Sequence, residues 1–273
     1  MTEEQKSLQW LSRVLDTLRK ECPWDSVQTI DTLRYLTIEE TFELAEAIVD
    51  HDYDEMRKEL GDLFMHLMFY SKIAEDEGRF TAADVIDGIC RKLIARHPHI
   101  ALPDREGRLQ PATAATAPQW EQVKMKEHRR SVLEGVPSSL PALVKAIRMQ
   151  EKAAGVGFDY AEPEQAHDKV CEEYDELLEA LEAIGKKQDA ASQKQAQEHA
   201  EEEYGDLLFA LVKWGNMLGI NADNALARAN AKYQRRFASV EQQAAAQQRP
   251  LQSMTTDELI ALWQQAKQQE HTA

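Results

Sequence analysis

One stretch of this chain occurs twice, and that repetition restricts the fold to an arrangement of two like modules. Ile38-Glu39-Glu40-Thr41-Phe42-Glu43-Leu44-Ala45-Glu46-Ala47 resembles Cys171-Glu172-Glu173-Tyr174-Asp175-Glu176-Leu177-Leu178-Glu179-Ala180, so both carry Glu-Glu-x-x-Glu followed by Leu. Downstream, Glu59-Leu60-Gly61-Asp62-Leu63 matches Glu203-Tyr204-Gly205-Asp206-Leu207. Upstream, Trp24-Asp25 stands where Phe158-Asp159 stands in the second copy. The intervals agree while the neighbours have diverged, which chance explains poorly. The chain reads as a tandem duplication of one module.

The module is helical. Ala, Glu, Gln, Lys and Leu abound, Gly (11) and Pro (9) are sparse, and no alternating strand pattern appears. Leu8, Leu11, Leu15 and Leu18 predict a helix over 3–20, followed by a turn at Cys22-Pro23-Trp24-Asp25 and a helix over 31–50. Asp52 and Glu55 have capping-box spacing and open a third helix to about Glu77, ended by Gly78. A fourth runs from Thr81 to His97, stopped by Pro98. Residues 101–118, rich in Pro, Ala and Thr, read as a linker, with a short helix at Trp120–Arg130 after it. Long helices follow over 163–184, 195–218 and 222–245, the first two joined by a polar connection, Gly185–Gln197. A last helix covers 256–269. The expected organisation is an all-α N-terminal module over 1–100, a linker with a short helix over 101–137 and a C-terminal module over 138–273.

Residues three or four apart share a helix face, so Glu39, Glu40 and Glu43 cluster, as do Glu59 and Asp62 on the next helix. The second copy repeats this with Glu172, Glu173, Glu176 and then Glu203, Asp206. For any one cluster a solvated acidic face is the ordinary reading. Three features argue otherwise. The carboxylates border an apolar stripe, read on the third helix as Met56, Leu60, Leu63, Leu67 and Tyr70, and carboxylates gathered there repel one another without a cation. Gly61 and Gly205 precede the aspartates inside helices, where glycine costs roughly 1 kcal/mol, so a close backbone or ligand approach is expected. Finally, the whole pattern occurs twice. All-oxygen ligands suit Mg²⁺, with Mn²⁺ as a substitute.

A formal net charge of −16 disfavours nucleic-acid binding and would repel a polyphosphate unless a cation intervened. Cys22, Cys90 and Cys171 are scattered, forming neither a zinc spacing nor a disulfide framework. With no signal-peptide pattern at Met1-Thr2-Glu3-Glu4 and no long apolar run, a cytoplasmic protein without membrane attachment is expected.

On these motifs, with Cys22-Pro23-Trp24-Asp25, Arg96-His97-Pro98-His99, Gly157-Phe158-Asp159 and Lys232-Tyr233-Gln234-Arg235-Arg236-Phe237 beside them, the chain resembles the MazG family of nucleoside triphosphate pyrophosphohydrolases. The resemblance implies a four-helix-type module that dimerises. It implies Mg²⁺-dependent cleavage of nucleoside triphosphates between the α- and β-phosphates to monophosphate and pyrophosphate. In two-module members the C-terminal copy is usually credited with catalysis. Carried onto this chain, Glu173, Glu176, Glu203 and Asp206 become metal ligands, and Glu172 orients or deprotonates the attacking water. Lys232 and Arg236, four apart, become phosphate clamps, with Lys169 and His199 as further phosphate contacts. Phe158 is either a base-stacking ring or a core residue. Glu39, Glu40, Glu43, Glu59 and Asp62 form the corresponding set in the first copy, where Leu36 replaces Lys169. Two other readings compete: a terpenoid-synthase-like Mg²⁺-diphosphate enzyme, disfavoured by 7% aromatics, and a non-enzymatic helical scaffold, disfavoured by the repeated spacing.

Overall fold

The computed structural model describes residues 2–113, 131–186 and 189–272. Among these residues the regular structure is nine α-helices, with no strand beyond one isolated bridge between Pro103 and Leu109. The chain divides into two compact units at residues 123 and 124. The helix expected at Trp120–Arg130, with the rest of residues 114–130, lies outside the described residues.

The first unit holds α1 (Glu3–Glu21), a 3-10 turn (Asp25–Val27), α2 (Ile30–Asp50), α3 (Tyr53–Asp76) and α4 (Ala82–Arg96). Each of these helices starts on a side-chain cap. Thr2, Thr29 and Thr81 form capping boxes, and Asp52 accepts from the amides of Asp54 and Glu55. His51, in the left-handed region at φ 57°, turns the chain so that α3 folds back along α2. Leu15 of α1, Leu33 of α2, and Phe69 and Ile73 of α3 then close into one buried core. Each such side chain contributes roughly 1.5–3 kcal/mol by leaving water.

The inward face of α3 is not the one expected. Glu59, His66, Phe69 and Ile73 are buried, whereas Leu60 and Leu67 are 52% and 61% exposed. The helix carries two apolar stripes, and the one rich in leucine points out of its own unit. Tyr35, Ile38 and Phe42 on α2 and Phe64 on α3 are exposed as well. Hydropathy alone does not rank two stripes on one helix.

The second unit holds α5 (Ala142–Ala154), α6 (Pro163–Lys186), α7 (Ala190–Met217), α8 (Ala222–Ala246), a 3-10 turn (Leu251–Ser253) and α9 (Thr256–Thr272). Helix α5 precedes Phe158-Asp159 as α1 precedes Trp24-Asp25, so the duplication extends further upstream than the acidic motifs suggested. The polar stretch Gly185–Gln197 is not a long connection. Asp189 accepts from the amide of Ser192, and α7 starts at Ala190 because the Ala/Gln/Lys run after the cap favours helix. Helices α6 and α7 pack along their length, burying Leu177, Ala180, Ala196 and Ala200. Val240 and Ala244 of α8 pack against Leu262 and Ala266 of α9. Arg249 clamps the bend between them, donating to both Glu258 carboxylate oxygens at 2.6 and 3.1 Å. Among the described residues, no helix is long and apolar enough to cross a membrane.

Candidate functional site

In each unit the helix hairpin gathers three carboxylates. Glu40 and Glu43 share one face of α2, and α3 folds back to add Glu59; Glu173 and Glu176 on α6 meet Glu203 on α7. Within each group one oxygen from every residue lies within 4.8 Å of the others. Asp62 and Asp206, expected as fourth ligands, are exposed and stand outside these groups, as do the exposed Glu39 and Glu172. The acidic motifs thus converge, with three members rather than four.

The electrostatics of the groups fit a cation. Glu59 is only 4% exposed, and among the described residues its Oε2 is buried without a hydrogen-bond partner. Burial pushes its carboxyl up to about 7, with hydrogen bonding to Glu40 and Glu55 and the nearby Glu43 charge adding to the rise. Glu176 is raised as well, by desolvation first and then by the charges of Glu173 and Glu203. An orphaned carboxylate oxygen among other carboxylates lacks a positive partner, and the all-oxygen donor set suits a hard divalent ion.

The two copies differ in their counter-charges. Glu173, 7% exposed, receives Lys169 Nζ at 2.7 Å, and the same ammonium reaches Glu172 at 2.8 Å. Those two bonds raise the lysine well above its ordinary range. His199 Nδ1 lies 3.4 Å from Glu203. One turn before the matching glutamates, the first copy has Leu36 and Glu55 instead.

Arg236 donates to Glu270 on α9 at 2.6 Å and lies over the Trp263 ring at 5.9 Å, while Lys232, one turn away, is exposed. Phe158 is 82% exposed, which rules out the core role. Gly61 and Gly205 are not explained by close packing, since among the described residues a Cβ at either would meet nothing within 4 Å beyond its chain neighbours and its own helix backbone.

Beside Glu173 the second unit opens into a pocket of about 540 Å³, within the usual range for small-molecule sites. Lys169, Glu173 and Asp206 line it, and Met149, Phe158, Ala166 and Phe209 supply apolar wall. Lys213 and Asp159 form an ion pair in its lining. Gln150 also lines it, fixed by donating to the Phe209 carbonyl at 2.8 Å and accepting from Asn216 at 3.2 Å. Gln150, Ala166 and Lys213 escaped the sequence reading, for each is ordinary by itself; their signal lies in comparing the copies position by position.

A helical hairpin with three facing carboxylates beside a mostly apolar pocket offers an all-oxygen donor set suited to a hard cation next to room for a small molecule. The model of the MazG nucleotide pyrophosphohydrolase domain matches the chain twice, over residues 28–101 and 161–240. A nucleoside triphosphate pyrophosphohydrolase of Escherichia coli (strain K12) is 38% identical over 254 residues, covering 91% of each chain. A nucleoside triphosphate pyrophosphohydrolase/pyrophosphatase MazG of Thermotoga maritima is 35% identical over 262 residues, 94% of each. One from Mycobacterium tuberculosis is 39% identical over 147 residues, 53% of this chain and 44% of that one. The chain belongs to the MazG nucleotide pyrophosphohydrolase family.

Proposed function

We propose that this protein hydrolyses nucleoside triphosphates, ribo- or deoxyribo-, to the monophosphate and pyrophosphate, using Mg²⁺ held in the second copy. The observation that carries this reading is the meeting of Glu173, Glu176 and Glu203 beside a pocket that Lys169 also lines. These three carboxylates would hold the ion, with Asp206, which lines the adjoining pocket, as the fourth acidic residue of the motif. When bound, Mg²⁺ neutralises the polyphosphate and makes a water nucleophilic at neutral pH. Glu172, exposed and adjacent to Glu173, would accept a proton from the attacking water. Lys169 stands between Glu172 and Glu173 and supplies positive charge to a phosphate oxygen arriving there. His199, Lys232 and Arg236 are the remaining phosphate contacts, and Phe158 offers an open ring face to a base.

The second copy is proposed as the working one because its group has Lys169 and His199 where the first has Leu36 and Glu55. A homodimer is proposed from the outward apolar stripes: Leu60, Phe64 and Leu67 on α3, with Tyr204, Leu208 and Leu211 similarly exposed on α7. The three free cysteines suit a reducing cytoplasm. The test is to incubate the protein with Mg²⁺ and each common NTP and dNTP and quantify monophosphate and pyrophosphate. Formation of both products is expected; no metal-dependent product from any nucleotide refutes the reading.

A further inference from the structure

The pocket of the second unit sits where the first unit keeps its core. Counting from the shared motifs, Leu15 corresponds to Met149, Leu33 to Ala166 and Phe69 to Lys213. In the first unit Leu15, Leu33 and Phe69 are the largest fully buried side chains and touch one another in one cluster. All three counterparts line the pocket. At the first position Met keeps the bulk. At the second a leucine has become an alanine, and at the third a phenyl ring has become a lysine drawn to Asp159. His66, buried beside that core, is matched by Ala210, which also lines the pocket.

Resting on the nucleotide reading above, we infer that this emptied core is the nucleobase subsite, with Ala166 setting its size and the Lys213–Asp159 pair reading the base. The chemistry suits the part. A heterocycle needs apolar wall against its faces, which Met149, Phe158 and Phe209 provide. Its edge carries alternating donors and acceptors, and an ammonium beside a carboxylate offers one of each. Glu173 of the acidic group lines the same pocket, so base and triphosphate would occupy one continuous space. Water left in the pocket can satisfy the ion pair, whereas a base of the wrong pattern cannot. Such a pair therefore discriminates by penalising misfits.

Steady-state kinetics with the four common NTPs, and Mn²⁺ titration of the same samples followed by electron paramagnetic resonance, test the assignment. Ala166→Leu restores the side chain of the first copy; it is expected to raise KM roughly tenfold or more for every nucleotide while kcat and Mn²⁺ binding stay within about threefold. Lys213→Met keeps the chain length without the charge, and it is expected to change the rank order of the four bases. It serves as the second arm should Ala166→Leu melt below the assay temperature. If the wild type turns over nucleotides and both folded variants keep its KM values and base order, the subsite is refuted while the proposed activity stands. If the wild type turns over none, the activity itself has failed.

Discussion

Leu33→Ala would give the first unit the residue that the second uses at the same position, and the cost can be worked from the structure. Leu33 is 2% exposed and packed among Leu15, Phe69 and Ile73. Truncation removes three carbon groups at roughly 0.8 kcal/mol each, about 2.5 kcal/mol of transfer free energy. Three large neighbours anchored on α1 and α3 relax only partly, and the residual cavity brings the total to about 3–5 kcal/mol. For a unit of this size that is a fall in Tm of roughly 12–20 °C. Differential scanning calorimetry is the suitable assay, because two compact units need not melt in one transition. One transition should move by that amount. Nucleotide hydrolysis measured well below it should stay within about twofold of wild type, since the catalytic work is assigned to the other copy. A loss under about 1 kcal/mol would refute the packed-core argument. A tenfold loss of turnover in protein that is still folded would refute the division of labour.

Three other outcomes are expected. Glu173→Gln should reduce monophosphate and pyrophosphate formation by about a hundredfold or more while Glu40→Gln leaves most of it, and equal losses in assays run side by side would mean two working copies. In metal-free protein the native state keeps the Glu59 proton between its ordinary pKa of 4.5 and about 7, where the unfolded chain has released it. Stability should therefore fall as pH rises through that window and level off above it; Glu59→Gln should flatten the dependence in melts at pH 5 and pH 8 in EDTA. Lys169→Met leaves Glu173 without its ammonium, so added Mg²⁺ should raise the Tm of the variant more than that of wild type, and an equal gain in thermal shift would count against that cation's role.

The repeated acidic motif carried most of the architecture in its own letters. Glutamates three apart must share a helix face, and two motif helices separated by a tight turn must fold back on one another. That suffices to bring Glu40, Glu43 and Glu59 together. Burial was less legible. Glu59 sits next to Leu60, and nothing local says that the charge goes in and the leucine out; the packing of three helices decides it. Helix α5 was missed because it carries no acidic motif, although its place before Phe158-Asp159 repeats that of α1 before Trp24-Asp25. The pocket was hidden for a related reason: it arises from Ala166 and Lys213 standing where a core wants Leu and Phe, a fact visible only against the other copy.

Arg236 already has an anion. Its bond to Glu270 and its seat over Trp263 hold the guanidinium on the last helix, so any phosphate that takes it must take it from a carboxylate of the same chain. That makes the encounter an exchange between competing anions rather than a gain of a free charge pair, and salt screens both sides of an exchange. The last helix thereby becomes a rival ligand: trimming the chain before Glu270 would leave the arginine vacant for whichever anion arrives first.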